Sequence, residues 1–404
     1  MNESWVRRAV NWIALPVGAV VVTLLLAEGM LRVANVSFPV FDTYDDARGV
    51  ALRPGKEGWY RKEGNAYLRI NSLGYRDNEH EVAKPAGTYR IAVLGDSFTE
   101  ARQVALEDTF STLLGRDLGS CAGLNGRKVE VLNFGVGSYG TAQELLTLRM
   151  DALRFSPDLV LLAFFPGNDF EDNSKELTLA EGWKIPKPVY VHVNGELVLD
   201  QTFRRSSGSR LLYESVHHSR VLEVVNEARR AWVVRKEVAA AAGQQPKPEP
   251  ATAEGIYAPP ESAAWREAWL VTEELLERMH QEVVSSGARF VVTTLSMPPQ
   301  VYPDTAARQA IERRLGIEDL FYADRGIAEL GRRYGYPVID LAEPLQRMAT
   351  EEGIYLHGFE NSVMGEGHWN EAGHAHAAKI LGEGICSALR PDSHPENARE
   401  EDSG

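Results

Sequence analysis

The chain has 404 residues, 44% of them hydrophobic and 25% charged, with a formal net charge of −14. That length exceeds one minimal domain and admits one enlarged domain or two, and the charged and apolar fractions are those of a folded soluble protein. The acidic balance, with no Lys/Arg stripe along the chain, excludes a nucleic-acid surface, and two cysteines without a CxxC or Cys/His cluster argue against structural zinc.

At the N-terminus Arg7 and Arg8 precede an apolar run from Trp12 to Ala27, extendable to Val33. The run is near the lower length limit for a spanning helix, about 17 residues. Arginines before it and sparse positive charge after it predict an N-terminus inside and the remainder outside. A cleaved signal peptide is the competing reading, since Leu25-Leu26-Ala27 offers a weak site. Leu25 stands where a small residue is wanted, so an uncleaved anchor over residues 1–33 is favoured. Residues 34–88 lack helical periodicity and read as an extended membrane-proximal segment packing on the main domain, with a turn at Ile70–Arg76.

From residue 90 the pattern alternates strand and helix. Arg90–Leu94 is an apolar run ending in Gly95-Asp96-Ser97, and a helix is expected over Glu107–Leu118. Further buried strands are expected at Val129–Phe134, Asp158–Phe165, Ala288–Leu295 and Tyr336–Asp340. Helices are expected at Thr141–Leu153, Ser262–Ser286 and from Asn370 to Leu389. Five strands interleaved with helices predict an α/β fold with a doubly wound parallel sheet over residues 89–390. Residues 176–260 interrupt that rhythm as an inserted arm. It comprises an Asn194-Gly195 hairpin within Tyr190–Leu199, an amphipathic helix over Arg210–Lys236, and a disorder-like linker over Ala239–Pro260. The polar tail 391–404 is expected to be disordered.

Polar or glycine-rich turns close three of these strands: Gly95-Asp96-Ser97, Gly137-Ser138-Tyr139-Gly140 and Gly167-Asn168-Asp169. Glu366-Gly367-His368-Trp369-Asn370 lies just before the last helix. A doubly wound sheet gathers such turns at the C-terminal edge of its strands. Ser97 is the first candidate nucleophile, the bland reading being a turn serine that caps a helix. Acyl transfer through serine needs a base, an acid to orient it, and donors for the oxyanion, and all are present in these four segments.

In these blocks the chain resembles the SGNH hydrolases, the GDSL-type esterases. Gly95-Asp96-Ser97 matches the first block, Asn133–Gly140 the second, Gly167-Asn168-Asp169 the third and His368 the last. The likeness covers residues 68–182 and 262–389, in particular a membrane-anchored subgroup with a His-Trp-Asn ending. It implies a flavodoxin-like five-stranded sheet, Ser97 as nucleophile and His368 as general base. The oxyanion hole would be built from the Ser97 N–H, the second-block N–H and Asn168. Two positions depart from the family pattern. Its second-block glycine falls on Ser138, with Gly137 one residue away. Its acid, usually an Asp two or three residues before the histidine, is replaced by Gly365 and Glu366, so Glu366 is expected to be the acid, with a dyad as the other option.

His374 and His376 are read as helix-surface residues on different faces, His217-His218 as part of a solvated face, and Asp96 and Asp169 as holding their turns. In a flavodoxin-like order Cys121 and Cys386 fall late in helices on one face, where an oxidising compartment would permit a disulfide, two buried thiols being the other reading. The expected function is an extracytoplasmic, periplasmic esterase acting on an acyl or acetyl ester, with no cofactor and no metal. Its substrate would be a small ester or a cell-envelope or exported carbohydrate, with a lipid ester as rival. An O-acyltransferase and a non-catalytic carbohydrate-binding or scaffold protein are the alternatives. Oligomeric state stays open.

Overall fold

The computed structural model describes residues 3–180, 187–203, 214, 218–241 and 252–389. The expected tail 391–404, His217 and part of the arm and linker lie outside them. Two compact units form, one from Met1–Tyr44 with Arg205–Lys247, the other from Asp45–Arg204 with Pro248–Gly404.

The larger unit is built on a five-stranded parallel sheet. Its strands are β1 (Thr88–Gly95), β2 (Lys128–Asn133), β3 (Leu159–Phe164), β4 (Arg289–Thr294) and β5 (Val338–Asp340). Their order, β5-β4-β3-β1-β2, is the flavodoxin-like arrangement expected from the sequence. Each strand lies within a residue or two of its expected bounds because a parallel sheet buried on both faces demands continuous apolar runs. Successive side chains point to opposite faces. Ile91 and Val93 of β1 and Leu159 and Leu161 of β3 join a core on one face, and Ala92, Leu94, Val160 and Leu162 are buried on the other.

Six helices matter to the site: α1 (Phe110–Asp117), α2 (Thr141–Met150), α3 (Ala263–Ser285), α4 (Tyr322–Tyr334), α5 (Ala342–Glu352) and α6 (Glu371–Ala388). Phe110, Leu113 and Leu114 of α1 pack with Leu345 of α5 and Leu381 and Ile385 of α6 on the first face. The caps follow sequence chemistry: the Ser262 hydroxyl accepts from Trp265 N–H at 3.1 Å to open α3, and Asn370 accepts from Gly373 N–H at 3.1 Å to open α6. The hairpin forms as Val189–Val193 paired with Glu196–Asp200, and Asn194 and Gly195 take the positive φ values its two-residue turn requires.

Three expectations are corrected. The segment 34–88 is not merely extended; it contains short strands at Asp42–Asp45, Gly49–Leu52, Glu57–Tyr60 and Ala66–Arg69, too brief to register as periodicity. The linker expected at Ala239–Pro260 carries helix to Ala241 and again over Thr252–Tyr257, where Ile256 and Tyr257 are buried. His374 is not on the surface: it is 1% exposed, its Nδ1 accepts from Phe110 N–H at 3.3 Å, and its ring lies parallel to Phe110. One α6 face packs on α1, so position 374 is interior, whereas His376 stays at the edge beside Glu352.

In the smaller unit the helix Glu3–Val33 contains an apolar stretch, Ala14–Val33, long enough to cross a membrane and buried nowhere inside the structure.

Cys121 and Cys386 form a disulfide. It closes a loop of 265 residues, so Cys121→Ala/Cys386→Ala is expected to lower the unfolding free energy of the protein by about 2–4 kcal/mol, read from urea denaturation. A second test concerns His374. Burial, then the charges of Arg76, His368 and His357, push its pKa down to about 3. Between pH 6.5 and 3 the unfolded chain takes up a proton there that the folded protein refuses, so stability falls with pH, by at most about 1.4 kcal/mol per pH unit. Denaturation at pH 7 and pH 5 should show a smaller loss in His374→Gln than in the wild type; an equal loss would assign the effect to other groups.

Candidate active site

Ser97 opens a four-residue helix, Ser97–Glu100, directly after β1. Asp96 caps it, its Oδ1 accepting from Phe98 N–H at 2.8 Å. At Gly95 a Cβ would come 2.2 Å from Thr99 Oγ1, so only glycine lets the chain fold back so tightly. Ala101 ends the helix at φ +55. The fully buried Arg76 guanidinium donates to the carbonyls of Glu100 (2.9 Å), Ala101 and Val104 (2.5 Å), satisfying acceptors that the helix end leaves open.

Ser97 Oγ lies 2.9 Å from His368 Nε2. On the far side of the ring, Nδ1 lies 2.6 Å from the Oε2 of Glu63, and the other oxygen of that carboxylate accepts the His368 backbone N–H at 2.7 Å. Glu63 sits in the turn between strands Glu57–Tyr60 and Ala66–Arg69, which pair antiparallel. Glu366, the acid expected from the sequence, is not at the imidazole. Its Oε1 accepts from the Tyr302 hydroxyl at 2.6 Å in an exposed position. Gly367 explains the exchange: at φ +74 a Cβ there would lie 2.1 Å from Glu63 Oε1. The glycine before His368 is the space through which the distant carboxylate enters, and it turns residue 366 away.

Burial raises the affinity of Glu63 for a proton, but the hydrogen bonds and charge of His368 outweigh it and hold the carboxyl below its ordinary range. The His368 loop is itself pinned. His357, buried, donates Nδ1–H to Gly367 O (2.8 Å), its Nε2 accepts from the Ser296 hydroxyl (3.1 Å), and that oxygen accepts from Trp369 Nε1–H (2.9 Å). Burial pushes His357 down to about 4, so it keeps the neutral tautomer that this chain of bonds needs.

The donor side is formed by the turns after β2 and β3. Ser138 has φ +71, in the left-handed region where glycine is at ease. Neither its amide nor that of Ser97 finds an acceptor among the described residues. Gly137 N–H is committed, donating to Glu100 Oε2 at 2.6 Å. Asn168 Nδ2 donates to Asp96 Oδ2 at 3.0 Å and more weakly to Tyr139 O at 3.4 Å, which orients the amide. Burial lifts Asp96 to about 6. Asp169 holds its turn by accepting Phe165 N–H at 2.7 Å. Burial, then the neighbouring Asp96 and Asp172, raise the pKa of Glu144 well above the ordinary carboxylate range.

Ser97, Ser138, Asn168 and His368 thus converge at one sheet edge, while Glu63 rather than Glu366 contacts the imidazole and the Gly137 amide is occupied. A hydroxyl, an imidazole and a carboxylate in this order form a relay that can move a proton from the hydroxyl. Among the described residues no group of three or more His, Cys, Asp or Glu could hold a metal ion. Sequence reading missed Glu63, Glu100, Arg102, Arg76 and His357. Gly367 was the one local sign that something approaches His368.

Solved structures similar to this chain include the lipase/acylhydrolase from Enterococcus faecalis (15% identity, covering 76% of this chain and 100% of that one, TM-score 0.36). An acetyl xylan esterase is similar at 13% identity, covering 73% and 99%, with a TM-score of 0.37. So is an α/β hydrolase enzyme from the metagenome of Lake Arreo, Spain, at 12% identity, covering 75% and 96%, with a TM-score of 0.37. These likenesses are too distant to bear on substrate, and no curated protein matches the sequence. Residues 93–376, well over half of the chain, match the GDSL-like Lipase/Acylhydrolase family. The chain therefore belongs to that family of SGNH ester hydrolases.

Proposed function

We propose that the protein is a membrane-anchored, extracytoplasmic serine esterase that removes an acyl or acetyl group from a cell-envelope or exported carbohydrate. The relay Ser97–His368–Glu63 is the observation that carries the catalytic part. Ser97 Oγ attacks the ester carbonyl as His368 Nε2 takes its proton, and Glu63 stabilises the imidazolium through Nδ1–H. The oxyanion accepts from the N–H groups of Ser97 and Ser138 and from Asn168 Nδ2, which gives up its weak 3.4 Å bond to Tyr139 O while keeping Asp96. Collapse expels the alcohol, which takes its proton from His368, and water activated by the same imidazole frees the acyl group. A sugar hydroxyl in place of that water would make the same site an O-acyltransferase.

Glu100 and Arg102 tune the donors. Glu100 is 0% exposed, and its carboxylate pairs with Arg102 while accepting Gly137 N–H, one residue from the Ser138 amide. Occupying Gly137 leaves Ser138 as the available second-block donor. Arg102 cancels a buried negative charge that would otherwise oppose the nearby oxyanion.

The anchor and the address rest on three supports: Arg7 and Arg8 before the apolar stretch, unbroken helix through the candidate cleavage site after Ala27, and the Cys121–Cys386 disulfide, which suits an oxidising compartment.

With p-nitrophenyl acetate and a fluorophosphonate probe, Ser97→Ala and His368→Ala should abolish turnover and labelling. Glu63→Gln should lower kcat by about 10²–10⁴, and Glu366→Ala should stay within about twofold of wild type. An inactive wild type that folds, or a Glu366 variant as impaired as the Glu63 variant, would overturn the assignment. For the charge pair, Arg102→Ala should cut kcat about tenfold or more with little change in KM. Adding Glu100→Gln, which removes the orphaned charge but keeps an acceptor for Gly137, should restore most of the loss. Additive losses would mean the pair acts through packing alone.

A further inference from the structure

The helix Arg220–Ala241 of the smaller unit has its polarity reversed relative to a helix of a soluble domain. At 100° per residue Leu222, Val225, Ala228 and Trp232 fall within an arc of about 120°. All four are exposed, Leu222 by 39%, Val225 by 57% and Trp232 by 64%. The opposite arc carries Glu223, Asn226, Glu227 and Arg230, which are buried or half-buried. There Glu227 pairs with Arg230 at 2.7 Å, and Glu223 accepts from Ser37 Oγ (3.2 Å), Phe38 N–H (3.1 Å) and Arg220 Nη1 (3.0 Å). The exposed Arg229 falls within the same arc; single apolar residues on a surface need no explanation, but a largely apolar aligned face with Glu223, Glu227 and Arg230 turned the other way does.

What meets that face is indicated by where the helix begins. Its first turn is capped by Glu28, a residue of the apolar stretch Ala14–Val33. The Glu28 carboxylate accepts from Ser219 Oγ at 2.8 Å, Arg220 N–H at 3.0 Å and Val221 N–H at 3.1 Å. Arg32 donates to His218 O at 3.3 Å. Glu28 lies five residues before Val33, about 7–8 Å along the axis at 1.5 Å per residue. That matches the depth of about 5–10 Å to which interfacial helices bury their apolar face. Trp232 and the exposed Arg229 are residue types suited to the headgroup boundary.

We propose that the helix Arg220–Ala241 lies in the membrane interface, with Leu222, Val225, Ala228 and Trp232 against lipid. The inference rests on the reading of Glu3–Val33 as a retained anchor. Glu28 then ties the interfacial helix to the spanning one at a fixed depth, giving the protein a second membrane contact.

The two native cysteines are joined in the disulfide, so Val225→Cys introduces the sole free thiol for an NBD fluorophore. Full-length protein would be reconstituted into phosphatidylcholine/phosphatidylglycerol vesicles with and without doxyl-labelled lipid, alongside Asn226→Cys from the opposite arc. The expected result is co-flotation with vesicles, a blue-shifted NBD at 225, and at least about twofold stronger doxyl quenching at 225 than at 226. Co-flotation with a water-like, unquenched probe at 225 would overturn the interfacial helix while leaving the anchor intact. A blue-shifted but unquenched probe would also overturn it, assigning the face to protein. Failure to float would overturn the anchor reading and the inference with it.

Discussion

Everything at the site depends on one carboxylate making two bonds to one residue. Glu63 accepts both the backbone N–H and the Nδ1 side of His368, which fixes the height of the loop and the rotation of the ring together. A single bond to the ring would leave the loop free to pivot about it. The hairpin that delivers Glu63 is held in turn by Asn361, which accepts from Gly64 N–H at 2.9 Å and donates to Gly64 O at 2.7 Å. Glu63 and His368 are therefore mounted on two loops that brace each other, and a ring already oriented has little freedom left to lose.

The opposite side of the imidazole is braced by apolar contacts. Phe98, next to the nucleophile, has its ring 4.9 Å from that of His368 and 5.3 Å from that of the fully buried Trp369. The serine turn and the histidine loop consequently share one aromatic cluster beneath the reacting atoms. Polar groups in this layer are paired where they must be: Trp369 donates to Ser296, and His357 stays neutral between Ser296 and Gly367. The buried Arg76 and Glu100 bring charge close to the nucleophile, and each is met by carbonyls or by an opposite charge, as a dry interior requires.

Much of this was legible in the sequence. Five apolar runs ending in turn residues announced the parallel sheet, because strands buried on both faces admit few polar residues. The serine, asparagine and histidine blocks fall at the ends of those runs and before the last helix, so their convergence follows from the strand order. The Asn-Gly hairpin and the Ser262 and Asn370 caps were legible for the same reason: each is a local rule satisfied by adjacent residues. Cys121 and Cys386 were readable only as far as the strand order placed their helices on one face.

Only the tertiary structure decided the rest. Glu63 is 305 residues from His368 and sits in the turn between two strands of four residues with no periodicity to mark them, so nothing local connects it to the site. Glu366 stood at the expected spacing, but the left-handed turn at Gly367 sends it to Tyr302 and admits the distant acid instead. His374 became interior because α6 packs on α1, and Gly137 lost its amide to Glu100 through a fold-back that sequence does not display. Sequence by itself determined the sheet and the placing of the Ser97 turn and the His368 block at its strand ends and before the last helix, since these depend on neighbours along the chain. Which carboxylate meets His368, which of two adjacent amides is occupied and the environment of each titrating group depend on residues that meet only in space.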